Sequence, residues 1–166
     1  MYALAHPSKL ADMGVSDLKL EDLCANIVEN AVIATSYSED KRIMITFGLC
    51  GDVYEICVHD SSIPFKLETL ANLGIKKAST HLDEGGSGIG YITAFEILRE
   101  FNASLIITEY DAEQNNSVTH GFSKSVAIQF DGKSRYIVET HRADMLRAVM
   151  LIAGRTDGSM SVVVPR

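Results

Sequence analysis

The sequence predicts an α+β fold, a two-layer α/β sandwich with helices on one face of a mostly antiparallel mixed sheet. Three observations predict it. A long amphipathic helical segment is followed directly by two β-rich segments, and three more β-rich segments follow a later helix. The order of helix, two strands, helix, loop, helix and three strands is typical of helices packed on one side of a sheet.

The first helix is predicted for residues 18–37, where apolar side chains recur at helical spacing. Either Ser16 or Asp17 is placed to cap its start. Two β-rich segments, 42–49 and 53–59, flank a short turn. We therefore expect these two strands to pair antiparallel.

The remaining elements are predicted from the same periodicities. A short helical pattern follows Pro64, and the polar stretch 74–86 is interpreted as a mobile loop. Further along, we predict a helix from Ile89, strands at 103–109, 126–130 and 136–140, the last two across Asp131–Gly132, and a helix at 144–152.

The composition predicts a single domain over residues 1–166. Of its residues, 46% are apolar, which is enough for one core and too few for two. The formal net charge of -7 leaves no broad basic surface, so we expect no binding to nucleic acid. An anionic ligand must instead be held locally by backbone amides, a helix dipole or a metal ion. This favours a nucleotide over a polymer.

The cysteines indicate a reducing compartment. Cys24, Cys50 and Cys57 lie in apolar segments and lack the spacing of a zinc site. No signal peptide is recognised, and no apolar stretch is long enough to cross a membrane. We expect a cytoplasmic domain, either free or the cytoplasmic part of a membrane-anchored sensor.

A glycine run at residues 85–90, GGSGIG, leads straight into the helix predicted from Ile89. Its unpaired amides and the positive end of the helix dipole suit phosphate groups. The run matches neither a dinucleotide-binding motif, which needs a strand immediately before it, nor a P-loop, which ends in Gly-Lys-Ser/Thr. The alternative is a flexible loop that ends in a glycine-assisted helix start.

Two asparagines and an aspartate complete the candidate site. Asn26 and Asn30 are four residues apart on the first helix, so both amides face one lateral groove, and their carbonyl oxygens suit magnesium. Asp60 ends the apolar segment VYEICVHD, where a carboxylate can accept a hydrogen bond from an amino group such as that of adenine. The alternatives are a solvated helix face for the asparagines and a turn-opening role for the aspartate.

Together and in this order, the three features resemble the motifs of the GHKL ATPase superfamily, named for gyrase, heat-shock chaperone, histidine kinase and mismatch-repair ATPases. DLCANIVENAVIAT resembles the N-box, HDSSIPF the first glycine box and GGSGIGYITAFEIL the second glycine box. The resemblance covers residues 20–109. It implies the Bergerat fold and a catalytic ATP-binding domain like that of histidine kinases, with ATP and Mg²⁺ as ligands.

The resemblance also implies a role for each matching residue. Asn30 would coordinate Mg²⁺ and Asn26 would lie beside the phosphates, as the two catalytic residues. Asp60 would bind the adenine amino group, with Ser62 and Ile63 beside it in the first glycine box. Residues 74–86 would form an ATP lid between the glycine boxes. The remaining phosphate contacts would be Lys76, Lys77, Thr80 and His81 of the lid, and Gly86, Ser87, Gly88, Ile89 and Gly90 of the second glycine box.

Three positions depart from the family pattern. Ser62 stands where the first glycine box has its first glycine, and Ile33 stands where many histidine kinases have a phosphate-contacting lysine. These two departures leave weaker or altered nucleotide affinity open. Hydrolytic members carry a glutamate one turn before the magnesium asparagine, and here that residue is Asn26, which cannot accept a proton from water at neutral pH. The sequence therefore predicts slow ATP hydrolysis and favours phosphotransfer.

The predicted activity is transfer of the ATP γ-phosphate to a histidine on a separate domain or chain, within a response-regulator pathway. His6 is a poor acceptor because Pro7 follows it. We expect the acceptor in another chain or in an N-terminal part of a longer protein, through which the chain would also form a homodimer. Three alternatives stay open: a serine kinase of the anti-sigma-factor type, a nucleotide-gated interaction module without phosphotransfer, and a domain with no nucleotide site.

Overall fold

The computed structural model describes residues 14–74, 89–110 and 121–165, and for residues 89–92 it describes the backbone. Within these ranges the chain forms four helices and six strands, which confirms the predicted α+β class. The helices are α1 (Asp17–Ser36), α2 (Leu67–Asn72), α3 (Ile89–Glu100) and α4 (Ala143–Ile152). The strands are β1 (Ile43–Cys50), β2 (Val53–Asp60), β3 (Ser104–Glu109), β4 (Lys124–Gln129), β5 (Tyr136–Glu139) and β6 (Ser161–Val163).

The six strands form one mixed sheet in the order β1-β2-β4-β3-β5-β6. The pairings of β1 with β2, β2 with β4 and β4 with β3 are antiparallel, whereas β3 with β5 and β5 with β6 are parallel. The sheet is therefore mostly antiparallel, as predicted.

The predicted hairpin is formed by β1 and β2. Cys50 pairs with Val53, which leaves Gly51 and Asp52 as a two-residue turn. Gly51 has a φ of 63°, a left-handed conformation that glycine adopts without steric cost. Two-residue turns with positive φ match the twist of antiparallel strands, so the glycine explains why the hairpin closes here.

All four helices pack on one face of the sheet, as predicted. The strand register places Val126 of β4 beside Val58 of β2, Ile107 of β3 beside Val126, and Val138 of β5 beside Ile107. Residues paired across strands share a face of the sheet, and these four belong to one buried core. The helix residues in that core are Leu23, Ile27, Ala31, Leu70, Ala71, Ala94, Phe95, Ile97, Leu98 and Leu146. The molecule is thus a two-layer sandwich.

Two details differ from the sequence-based expectation. β6 has no counterpart among the predicted strands, because three residues at a sheet edge are too few to show a period of two. β4 begins at Lys124, two residues earlier than predicted, and it is not a neighbour of β5, because β3 lies between them.

The predicted ATP lid, residues 74–86, lies outside the described residues except for Gly74. Gly74 has a φ of 77°, and a Cβ atom there would come within 3.0 Å of the Phe95 ring. Both its conformation and its close approach to α3 therefore require glycine. Among the helices described, none has the length and apolar character needed to cross a membrane.

Candidate functional site

The candidate site lies at the end of the sheet where β2 and β3 finish and β4 begins. Asp60 is the last residue of β2, Glu109 is the last of β3, and Lys124 is the first of β4. The register puts Lys124 between the two carboxylates, opposite Asp60 on one side and Glu109 on the other. All three residues share the helix-covered face and are at most 5% exposed. The sheet therefore carries a buried row of charged side chains at this end.

Asp60 and Lys124 form a buried ion pair. The Lys124 Nζ atom lies 2.9 Å from Asp60 Oδ1, and the backbone N–H of Ser62 donates to the same oxygen at 2.9 Å. The ammonium also donates to Ser62 Oγ and, at 2.8 Å, to the carbonyl oxygen of Ile63. An ammonium has three N–H groups, and these three oxygens use all of them. Lys124 therefore has no donor left for a ligand.

The second carboxylate oxygen of Asp60, Oδ2, accepts no hydrogen bond from any residue that the structure describes. A carboxylate oxygen with unused lone pairs is an acceptor for an incoming N–H or O–H group. The described residues thus fix one oxygen of the carboxylate and leave the other without a hydrogen-bond donor.

A second ion pair holds the far end of the turn that follows β2. The Arg142 guanidinium lies 2.6 Å from Glu109 Oε1, and the Thr140 hydroxyl donates to Glu109 Oε2 at 2.6 Å. The backbone N–H of Phe65 donates to Glu109 at 3.0 Å, and its carbonyl oxygen accepts from Arg142 at 2.7 Å. The segment 61–66 is therefore fixed at both ends by ion pairs, in which Asp60, Lys124 and Glu109 are buried and Arg142 is half-buried.

Ser62, in the segment that resembles the first glycine box, has no left-handed backbone conformation. Among the described non-glycine residues, only Asn102 and Ser134 have positive φ. The missing glycine therefore costs no backbone strain here. Instead, Ser62 is 4% exposed, and its hydroxyl oxygen accepts a hydrogen bond from the Lys124 ammonium.

Asn26 and Asn30 are half-buried on α1, so they do not lie on a fully solvated face. The side-chain N–H of Asn26 donates to the carbonyl oxygen of Asp22 at 2.8 Å, and that of Asn30 donates to the carbonyl oxygen of Asn26 at 2.7 Å. Each amide nitrogen is thus held by the helix itself. Neither side-chain oxygen accepts a hydrogen bond within the described part of the chain, so both are available as neutral oxygen ligands.

Helix α3 runs antiparallel to α1. Lys19, near the start of α1, forms an ion pair with Glu100 at the end of α3, and its ammonium lies 5.6 Å from the centre of the Phe101 ring. Ile89 precedes Glu100 by eleven residues, and Asn30 follows Lys19 by eleven residues. Because both helices rise about 1.5 Å per residue, the start of α3 lies level with Asn30 to within about one turn.

The same end of the sandwich holds Asp60. Six residues connect α1 to β1, and β1 begins opposite Asp60 in the hairpin. The connection contacts the turn after β2, since the Ser61 hydroxyl donates to the carbonyl oxygen of Asp40 at 2.7 Å. The C-terminal half of α1, which carries Asn30, therefore points to the end of the sheet where Asp60 lies. Asn30, the start of α3 and Asp60 thus lie at the same end of the sandwich.

Of the remaining predicted site residues, only Ile63 has a described side chain. Ile89 and Gly90 form the first residues of α3, and the structure describes only their backbone. Ile63 is 62% exposed at the turn after β2. The others, Lys76, Lys77, Thr80, His81, Gly86, Ser87 and Gly88, lie outside the described residues, and their assignment stays a prediction.

A polar cluster on the opposite face of the sheet does not have the properties of a catalytic site. Cys57 Sγ lies 3.3 Å from His59 Nε2, and the Tyr110 hydroxyl donates to Ser125 Oγ at 2.9 Å. Burial raises the pKa of Cys57 to about 12, with a further contribution from the Glu55 carboxylate. Burial also raises the pKa of Tyr110. At neutral pH both groups keep their protons, so Cys57 is not a thiolate nucleophile.

Four residues of the site were not singled out in the sequence: Glu109, Lys124, Thr140 and Arg142. Lys124 heads the apolar segment KSVAIQF, and Glu109 ends the apolar segment SLIITE. The position at the end of a buried strand that indicates a functional role for Asp60 is shared by these two residues. Thr140 and Arg142 lie in a loop and carry no periodic signal.

A metal ion at this site would have to depend on few protein ligands. Within the ranges described, no three His, Cys, Asp or Glu side chains lie close enough together to hold a metal ion. Magnesium fits this donor set, because it keeps several of its waters and takes one or two protein oxygens together with substrate phosphates. The side-chain oxygen of Asn30 is a neutral donor of the type that magnesium accepts.

Comparison with known proteins gave no further assignment: neither a protein-family model nor a curated protein matches the sequence.

Proposed function

We propose that this chain is the ATP-binding catalytic domain of a histidine-kinase-like protein of the GHKL superfamily. The observation that carries the proposal is the state of Asp60, which is 1% exposed, fixed through Oδ1 and without a donor at Oδ2 among the described residues. A buried acceptor of this kind selects a ligand that brings an N–H group, as adenine does through its amino group. The exposed side chain of Ile63 offers apolar surface for the base at the same turn.

With the adenine at Asp60, the phosphates would extend toward Asn30 and the start of α3. At the start of a helix, unpaired backbone N–H groups and the positive end of the helix dipole attract phosphate. The oxygen of Asn30 would serve as a protein ligand of Mg²⁺, with Asn26 one turn earlier beside the phosphates. Magnesium, when bound, would neutralise charge on the phosphate oxygens.

The proposed reaction is transfer of the γ-phosphoryl group to a histidine of another domain or chain in a response-regulator pathway. The bond from the γ-phosphorus to the bridging oxygen breaks, a bond to an imidazole nitrogen forms, and ADP leaves. Hydrolysis would need a base that deprotonates water, and Asn26 has no basic group. Transfer to an acceptor that carries its own nucleophile therefore suits this site better than hydrolysis.

A second candidate function is a nucleotide-gated interaction module without phosphotransfer. The observation that favours it is Ile33, which is apolar and half-buried where many histidine kinases have a phosphate-contacting lysine. Such a module would bind Mg-ATP and change its affinity for a partner protein, but it would transfer no phosphate to that partner.

Calorimetric titration with ATP, with and without Mg²⁺, tests the proposal. The wild type should bind ATP more tightly with Mg²⁺, and Asn30→Ala should lose most of that difference while it still binds ATP. An Asn30→Ala variant with undiminished magnesium dependence would remove Asn30 from its role. Labelling of an acceptor with γ-labelled ATP then separates the functions: acid-labile phosphate indicates histidine, acid-stable phosphate indicates serine as in anti-sigma-factor kinases, and no label favours the gated module.

A further inference from the structure

Lys124 is the largest fully buried side chain at the proposed nucleotide site, and it has no obvious place in that site's chemistry. Its side chain is 2% exposed, and all three of its N–H groups point to oxygens of the protein, in Asp60, Ser62 and Ile63. Its ammonium also lies 4.9 Å from the centre of the Phe65 ring. A lysine enclosed in this way cannot reach a phosphate or a base. Its effect must therefore pass through the groups that it holds.

The group that Lys124 affects most directly is the Asp60 carboxylate. A carboxylate on its own rotates about its terminal torsion and presents either oxygen outward. Here the ammonium and the Ser62 amide both bind Oδ1, one from β4 and the other from the turn after β2. The ammonium also places a positive charge directly beside the buried carboxylate.

Ionisation decides which base the site accepts. An ionised oxygen only accepts hydrogen bonds, so it pairs with an amino group and repels a carbonyl oxygen. A protonated carboxyl group both donates and accepts, so it pairs with either. Adenine carries an amino group where the base of inosine triphosphate, ITP, carries a carbonyl oxygen. Selection of ATP over ITP therefore requires that Asp60 stay charged and keep one orientation.

We infer that Lys124 is a positioning residue for base selection, which fixes Asp60 with Oδ2 toward the nucleotide without touching the nucleotide itself. The inference rests on the proposed function, since it assigns a role within the same ATP site. It also gives the departure at Ser62 a purpose, because a glycine there would offer the ammonium no hydroxyl oxygen.

The test is the ratio of ITP to ATP dissociation constants, measured by titration in the wild type, in Lys124→Met and in Lys133→Met as the control. Lys133 is exposed and lies outside the site. The wild type and the control should favour ATP by about 10-fold to 100-fold, as expected when a buried acceptor is left unpaired or faces another acceptor. In Lys124→Met the ratio should fall by about tenfold, while circular dichroism shows a folded domain. A purely structural lysine would lower the affinity for both nucleotides equally.

Two outcomes overturn the inference at different levels. If the wild type binds neither nucleotide, the proposed function fails and the inference fails with it. If the wild type selects ATP and Lys124→Met keeps the same ratio, only the role of Lys124 is wrong.

A second pair of variants applies if Lys124→Met does not fold. In Asp60→Asn the two donors at Oδ1 should hold the amide oxygen and turn the amide N–H groups toward the nucleotide, which inverts the preference to ITP. Adding Lys124→Met to Asp60→Asn should weaken that inverted preference, because only the Ser62 amide then orients the side chain. An equal preference for ITP in the single and double variants would contradict the positioning role.

Discussion

The Lys124 ammonium and the Asp60 carboxylate lie 2.9 Å apart, and each side chain is 2% exposed. They sit directly opposite each other on two central strands, β2 and β4. The pair joins the end of the sheet to the turn that follows it, since both residues also contact Ser62. Several measurable properties of the protein follow from this arrangement.

Removing one member of the pair should destabilise the fold. Lys124→Met leaves the Asp60 charge buried without its partner, and the expected loss in the free energy of unfolding is about 3–5 kcal/mol. Urea unfolding measures this loss, with Lys133→Met as the exposed control, which should change stability by less than about 0.5 kcal/mol. The double variant that adds Asp60→Asn should recover part of the loss, because it removes the unpaired charge. A loss below about 1 kcal/mol in Lys124→Met would contradict the buried pairing.

Thr140 should contribute to stability through its hydroxyl group. It is fully buried, donates to Glu109 at 2.6 Å and accepts from the backbone N–H of Arg142 at 3.1 Å. Thr140→Val keeps the shape but leaves both partners without this contact, so we expect a loss of about 1–3 kcal/mol in urea unfolding. Thr156→Val, at an exposed position, is the control. Equal stability of the two variants would show that the contact adds nothing.

Cys57 should make stability depend on pH in the alkaline range. Burial raises its pKa from 9.0 to about 12, so the folded state binds its proton more tightly than the unfolded state does. The contribution is complete below pH 9 and is lost as the pH rises toward 12. The free energy of unfolding should therefore fall between pH 8 and pH 10, and it should fall less in Cys57→Ala. Cys50→Ala, at an exposed thiol, should keep the wild-type fall, and an identical fall in Cys57→Ala would contradict the prediction.

Asn26 should limit ATP hydrolysis. Without a base at this position, the wild type should turn over less than about one ATP per second. Asn26→Glu places a carboxylate one turn before Asn30, where hydrolytic family members carry their glutamate, and a general base typically adds about 100-fold or more. We expect a rise of at least about tenfold in phosphate release. Faster hydrolysis by the wild type would refute the preference for phosphotransfer.

The fold was largely predictable because its elements have clear periods. The β1–β2 hairpin shows two apolar segments around Gly51, and α1 shows a buried stripe that begins after the Ser16 cap, whose hydroxyl accepts from the N–H of Lys19. β6 was missed because its three residues gain their strand conformation from pairing with β5, which is a tertiary effect.

The candidate site was predictable only in part. Asp60 stands out because it ends a strand and precedes a turn, but its partner Lys124 is distant in sequence and lies outside the predicted strand at 126–130. Cross-strand register, which the sequence does not show, puts the two side by side. In the same way, only the sheet brings Glu109 and Arg142 to the turn at Phe65.

The most direct test of the proposed ATP site is a titration of Mg-ATP against the wild type, Asp60→Asn and Asp52→Asn. Asp52→Asn is the matched control, since Asp52 is exposed in the hairpin turn at the opposite end of β2. We predict saturable binding to the wild type and to Asp52→Asn, and affinity at least about tenfold weaker in Asp60→Asn, because an amide donor then faces the adenine amino group. Absence of binding to the wild type, or equal affinity in all three, would contradict the proposed function.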